Sequence, residues 1–285
     1  MQNKPELKKS VLVTGCSSGI GRTIALHLAQ NGYTVFATVR KEADRHELCQ
    51  LGEPNLVPLC PLDLAHLGDI APLLDNVRAE LQRRGQPGLF ALVNSAGGGA
   101  VAPVELMDVD AFQRELSTRL AGPVALVQGC LPLLRQGGGR ILWIMTPALI
   151  PTPYVTSIHA CDFAANCLVR TLDIELSFWP KVPVVQIRCG GIKTPSSLKA
   201  TPISEALRQH PRFELYRARL EHWSKEMADF DQKRTEPLKV AQAVQAALEA
   251  VHPRRSYSVG HMARAAAFLE ALPQPLADAI LKMRF

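Results

Sequence analysis

The chain has 285 residues, with 32 Lys and Arg against 26 Asp and Glu, for a net charge of +6. That length makes one large domain or two small ones and buries ample core without a disulfide or metal staple. No run of about 18 apolar residues is present to span a membrane, and no basic stripe interleaved with aromatics points to nucleic acid, so the modest positive charge suits a small anionic ligand.

The opening MQNKPELKKS carries lysines and a proline but no apolar segment of the secretory kind. Seven cysteines, an odd number without a CxxC pair, predict reduced thiols in a cytoplasmic protein. Cys161 and Cys167 have no His at a finger-like spacing, so no metal site is expected.

Short apolar runs then alternate with amphipathic stretches. VLVTG (11–15), TVFATV (34–39), LVPLCPLD (56–63), FALVNSAG (90–97), RILWIM (140–145) and VPVVQIRC (182–189) are predicted as buried strands. Helical patterns separate them, the first being RTIALHLAQNG (22–32), with Gly32 as its stop. The alternation predicts an α/β fold, a Rossmann-like doubly wound parallel sheet in a single domain over 1–285. After residue 194 the composition shifts to prolines, aromatics and mixed charge, and 195–236 is predicted as a helical lid. Phe213, Tyr216, Leu220, Trp223 and Met227 recur at spacings of three and four and define an apolar helix face. Two readings of that face stay open: it caps a hydrophobic substrate pocket, or it packs on the domain or a second subunit. From Pro237 the chain returns to a helix, a short strand SYSVG (256–260) and a terminal amphipathic helix.

The first strand runs directly into TGCSSGIG (14–21) and a helix. Gly15, Gly19 and Gly21 permit a tight turn, close approach of backbone to a phosphate, and close packing of helix on strand. Ser17, Ser18 and Ile20 lie between them, at a helix N-terminus suited to a pyrophosphate. A glycine triad alone is weak evidence; at the first strand of a strand–helix series it is strong.

TGxxxGIG followed by NSAG (94–97) after the fourth strand resembles the short-chain dehydrogenase/reductase family, whose usual second motif is NNAG. The resemblance covers nearly the whole chain, and the tail from Pro237 looks like the hydroxysteroid- and retinol-dehydrogenase-like branch. It implies a nicotinamide dinucleotide cofactor held by the glycine loop, by Asp63 of LDL (62–64) at the adenine, and by Asn94, Ala96 and Gly97. It further implies a GGIKT loop (190–194) reaching the nicotinamide with Gly191, Ile192 and Thr194. An acidic residue ending the second strand would select NAD. Here Val39 stands at that place with Arg40 after it, and a guanidinium there can pair with a 2′-phosphate, so NADP(H) is the expected cofactor.

The family's chemistry uses Tyr and Lys in YxxxK, a Ser ending the fifth strand and an Asn on the fourth helix. The Phe163–Ala164 pair after Asp162 sets the register within TSIHACDFAAN (156–166). Asp162 then stands for Lys, Ile158 for Tyr, Thr146 for Ser, and Arg119 in STRLAG for Asn. Ile158 has no proton to give, and loss of a positioned acid costs roughly 10²–10⁴ in rate, so ordinary carbonyl reduction is not expected. Thr146 keeps a hydroxyl. His159 and Asp162 share a helix face at i, i+3, so an Asp-oriented imidazole is one reading and an interface histidine the other. Cys161 faces away from His159 and reads as a packed thiol, and Tyr154 is a candidate substitute acid. Arg119 and Asp162, being opposite charges, are predicted to pair across the two helices. The expected function is an NADP(H)-binding protein acting as an atypical oxidoreductase or a non-redox enzyme on a small hydrophobic substrate. The alternative is a silent subunit or cofactor sensor that pairs with itself or with an active relative.

Overall fold

The computed structural model describes residues 9–147, 149–178, 180–195 and 203–284. The opening octapeptide, the first part of the expected lid (196–202) and Phe285 lie outside the described residues, and of 282–284 only the helical backbone is described.

The β-branched runs form strands because their alternating residues are buried on two faces at once. β1 (Ser10–Val13), β2 (Thr34–Thr38), β3 (Leu56–Leu59), β4 (Ala91–Asn94), β5 (Arg140–Met145), β6 (Val184–Cys189) and β7 (Ser256–Val259) pair in parallel in the order β3-β2-β1-β4-β5-β6-β7. The helices α1 (Gly19–Gln30), α2 (Glu42–Gln50), α3 (Ile70–Arg83), α4 (Val109–Leu116), α5 (Gly122–Gln136) and α6 (Thr156–Glu175) fill the crossovers up to β6. Val11, Val13, Val35 and Ile187 face α1 and the helix Leu238–Glu249 on one side. Leu12, Phe36, Leu92, Ile141 and Trp143 face α3, α5 and α6 on the other. The expected doubly wound α/β domain is the fold observed.

Several strands end earlier than the apolar runs suggest. β1 stops at Val13, β3 at Leu59 and β4 at Asn94, because the residues beyond leave the sheet to shape a crevice. The strand order reverses between β1 and β4, and in open parallel sheets that switch point is where a ligand-binding crevice opens. As Gly32 suggests, α1 terminates there: its φ is +85°, a left-handed value that costs glycine nothing, and Tyr33 N–H returns to the Leu28 carbonyl.

The described part of this segment packs its apolar face on the domain. Phe213, Leu220 and Trp223 are buried, and Phe213 and Leu220 pack with Ala102, Leu106, Leu207 and the partly buried Tyr154 and Tyr216. The face rests on the domain itself. No helix among the described residues is long and apolar enough to cross a membrane.

Candidate functional site

The crevice is built from the glycine loop upward. Thr14, at the end of β1, is buried, and its Oγ1 accepts from the backbone N–H groups of Ser95 and Ala96, both at 3.0 Å. That latch holds the ends of β1 and β4 together at the switch point. Gly15 has φ of +73°, and a Cβ on it would stand 2.8 Å from Ala96 Cα. A Cβ on Gly21 would meet the Gly15 carbonyl oxygen at 2.3 Å, so α1 leaves the turn close to its own strand. Ser18 caps α1 in an extended conformation with no side-chain hydrogen bond to the first turn. Those N–H groups point their partial charge into the cleft.

The resulting cleft has a volume of about 590 Å³. Gly15, Ser17, Ser18, Gly19, Ile20, Gly21, Arg40, Asp63, Ala96, Gly97 and Thr194 all line it. Val39 is buried beside Arg40, and the nearest carboxylate after the strand, Glu42, is held by Arg45. Asp63 is steadied in a way the sequence did not signal. Its backbone N–H donates to Asp69 Oδ2 at 2.9 Å, and Asp69 Oδ1 meets His66 Nδ1 at 2.6 Å. The Asp63 N–H first, and His66 second, hold the Asp69 carboxyl below its ordinary value. Asn94 sits behind the cleft wall, buried, with both polar side-chain atoms lacking a partner.

A second lobe of about 220 Å³ continues from the first and shares Ile20, Ser95, Ala96, Gly97 and Thr194 with it. Arg119, Thr146, Asp162, Cys189, Ile192 and Arg234 are among its other walls. Gly191 supports this wall from behind: its carbonyl accepts from Thr235 N–H at 2.9 Å, and its N–H donates to the His261 carbonyl at 2.9 Å. The end of the lid is thereby stitched to the 190–194 loop.

The predicted ion pair forms in this lobe. Arg119 lies on a π-helical turn (Ser117–Ala121) between α4 and α5, which turns its side chain toward α6. Its Nη2 donates to Asp162 Oδ1 at 2.5 Å and its Nη1 to the Gly98 carbonyl at 3.1 Å. Asp162 Oδ2 accepts from the Thr146 backbone N–H at 2.7 Å. The side chains are 14% and 4% exposed, which makes this a buried pair. Burial opposes the Arg119 charge, but the charge of Asp162 and its hydrogen bond outweigh that, and the guanidinium pKa is raised.

The other candidates are dispersed. Ile158 packs over the 97–99 glycine run, where a Cβ on Gly99 would stand 2.0 Å from Ile158 Cγ1. Ser157 Oγ bonds both the N–H and the carbonyl of Ala100, fastening α6 to the same loop. The Asp-oriented imidazole does not form: His159 Nδ1 pairs with the Ile150 carbonyl at 2.9 Å, while the Asp162 oxygens go to Arg119 and Thr146. Burial pushes the His159 pKa down, against the Ile150 hydrogen bond. Cys161 is a buried thiol, pushed up to about 11 by burial. Tyr154 is in a separate crevice with Ala218, Arg219, His222, Trp223 and Glu226, its ring edge-on to Trp223 at 6.0 Å between centroids. A left-handed backbone at Tyr154, φ +68°, aims it under the lid and away from the lobe, which a loop sequence does not encode.

The short chain dehydrogenase family profile matches residues 9–202. The chain belongs to that family. Retinol dehydrogenase 5 of Mus musculus is 30% identical to this short-chain dehydrogenase over 295 aligned positions, covering 98% of the chain and 90% of the relative. The 11-beta-hydroxysteroid dehydrogenase type 2 of Homo sapiens is 35% identical over 190 positions, covering 65% of the chain. The alignment reaches 46% of that relative's own length, so this family member spans about half of it. Among solved structures, a short-chain dehydrogenase from Streptomyces avermitilis superposes with a TM-score of 0.76 at 23% identity, covering 98% of each chain. One from Burkholderia cenocepacia J2315, in complex with NADP, superposes with a TM-score of 0.73 at 22% identity, covering 97% of this chain and 98% of that one.

Proposed function

We propose that the protein binds NADP(H) in the two-lobed cleft and that this binding, rather than ordinary carbonyl reduction, is its primary act. The observation that supports the reading is the buried Arg119–Asp162 pair, formed by the two residues that the resemblance aligns with the family's proton relay. The cleft supports the cofactor half of the reading. Its glycine loop is intact, the N–H groups at the start of α1 are uncapped by a side chain, and Val39 stands in place of the carboxylate that selects NAD, with Arg40 directly after it on the cleft wall. When bound, the dinucleotide supplies hydride chemistry; Gly15, Gly19 and Gly21 would admit its pyrophosphate, Arg40 its 2′-phosphate and Asp63 its adenine. Ala96 and Gly97 would form the wall between the lobes with Asn94 buried behind it, and Gly191, Ile192 and Thr194 would lie at the nicotinamide end.

On the reduction side, Ile158 offers no proton, and Tyr154 and His159 face other partners. The protein is therefore read as a cofactor-binding subunit or sensor. An exposed apolar stripe on and just beyond α6, Phe163, Ile174 and Phe178, supports association with a second copy or a related chain. A second reading, an atypical enzyme acting on a small hydrophobic substrate, is favoured by Ile144, Met145 and Ile192 in the second lobe beside Thr146. Calorimetric titration with NADPH, NADP⁺ and their non-phosphorylated counterparts tests the cofactor reading. Binding of the phosphorylated forms more tightly is the expected result, and equal or absent binding of all four refutes it. Robust NADPH-dependent reduction of simple ketones refutes the silent reading.

A further inference from the structure

Glu115 is a carboxylate the family's chemistry does not call for. It sits on α4 one turn before Arg119 and lines the cleft beside Gly97, Gly98 and Gly99. Its Oε2 is buried with no hydrogen-bond partner. The two guanidinium amino groups of Arg119 are committed to Asp162 and to the Gly98 carbonyl, and its Nε is buried without a partner. Arg119 and Asp162 cancel in charge, Arg234 is paired with Asp231, and Arg114 on the rim is exposed to screening solvent. Glu115, which lines the first lobe, thus adds a carboxylate one turn from Arg119, a wall of the second.

Resting on the cofactor reading above, we propose that the Glu115–Arg119–Asp162 cluster makes the nicotinamide end of the cleft a discriminator of redox state, holding oxidised NADP⁺ more tightly than NADPH. The two forms share every phosphate and ribose, so those contacts cancel in the comparison. They differ in the ring, a pyridinium cation when oxidised and a neutral dihydropyridine when reduced. Where the family's pattern has an ammonium that repels the cation, this chain has a neutral ion pair with a second carboxylate beside it. In a half-buried site, attraction between unit charges is several times stronger than in water.

The same cluster couples the preference to protons. Burial raises the Glu115 pKa, Arg119 lowers it and Asp162 raises it, and the upward shift prevails. A pyridinium nearby favours the carboxylate, so NADP⁺ expels a proton from Glu115 and NADPH does not. Affinity for NADP⁺ therefore rises with pH through the raised value and levels off above it, while affinity for NADPH stays comparatively flat. Of the neighbours on α6, burial lowers the His159 pKa and pushes the Cys161 thiol up to about 11. The 95–100 loop contributes no titratable side chain.

The test is calorimetry of NADP⁺ and NADPH binding to the full chain between about pH 6 and 9, in buffers of different ionisation enthalpy. We expect NADP⁺ to bind roughly tenfold more tightly at the alkaline end, equivalent to about 1.4 kcal/mol, with proton release seen for NADP⁺ in excess of that for NADPH. Glu115→Gln should bring the two affinities together and abolish the difference in proton release. The wild-type proton count stands as evidence even if that variant fails to fold. Equal affinities, a preference for NADPH, or a preference unchanged in Glu115→Gln would overturn the proposal while leaving the cofactor reading intact. Binding of neither form would overturn both.

Discussion

Removing the guanidinium of Arg119 leaves Asp162, only 4% exposed, with a single hydrogen bond from the Thr146 N–H. Breaking a buried pair from one side in this way costs about 3–5 kcal/mol, because the remaining charge has no compensation. Arg119→Met keeps most of the volume and removes the charge, so it isolates that term. Asp162→Leu costs a similar amount by a different route. It strands a buried guanidinium, which still holds the Gly98 carbonyl. The double variant removes both charges, so its loss should fall well below the sum of the singles. Chemical denaturation of the four proteins measures this coupling. A loss below about 1 kcal/mol or strict additivity would refute the buried lock.

Further outcomes follow from the same contacts. Gly97→Ala places a Cβ 2.4 Å from Arg119 Nη1 and should lower thermal stability, with Arg119→Ala in the same chain relieving part of the loss. Restoring Ile158→Tyr with Asp162→Lys sets a lysine against Arg119 and should destabilise the fold; adding Arg119→Asn should recover stability, read by thermal unfolding, and give the best chance of ketone reduction. Arg40→Asp should reduce the preference for NADPH over NADH by about 1–3 kcal/mol in direct titration, as expected for a lost charge-assisted pair. Ile174→Asp should weaken any self-association seen by light scattering, since Ile174 is 68% exposed on the α6 stripe.

What the sequence determined by itself was the periodic part and the pairing of charges. Strand runs of Val and Ile alternating with amphipathic helices leave few ways to bury both faces of a sheet, and TGCSSGIG placed the crevice at the first strand. The Arg119–Asp162 contact was legible because two opposite charges on adjoining helices are compensated only if they meet. The tertiary structure alone decided the rest. Glu115 gives a faint signal, being four residues before Arg119 on one helix face, but its burial depends on how the 97–99 loop folds over α4. Tyr154 is withdrawn under the lid by a left-handed backbone angle and by Trp223, 69 positions later in the chain. His159 is claimed by the Ile150 carbonyl rather than by Asp162, because the loop before α6 folds back on the helix. Such choices are competitions between partners distant in sequence, and helical spacing carries no information about which partner arrives first.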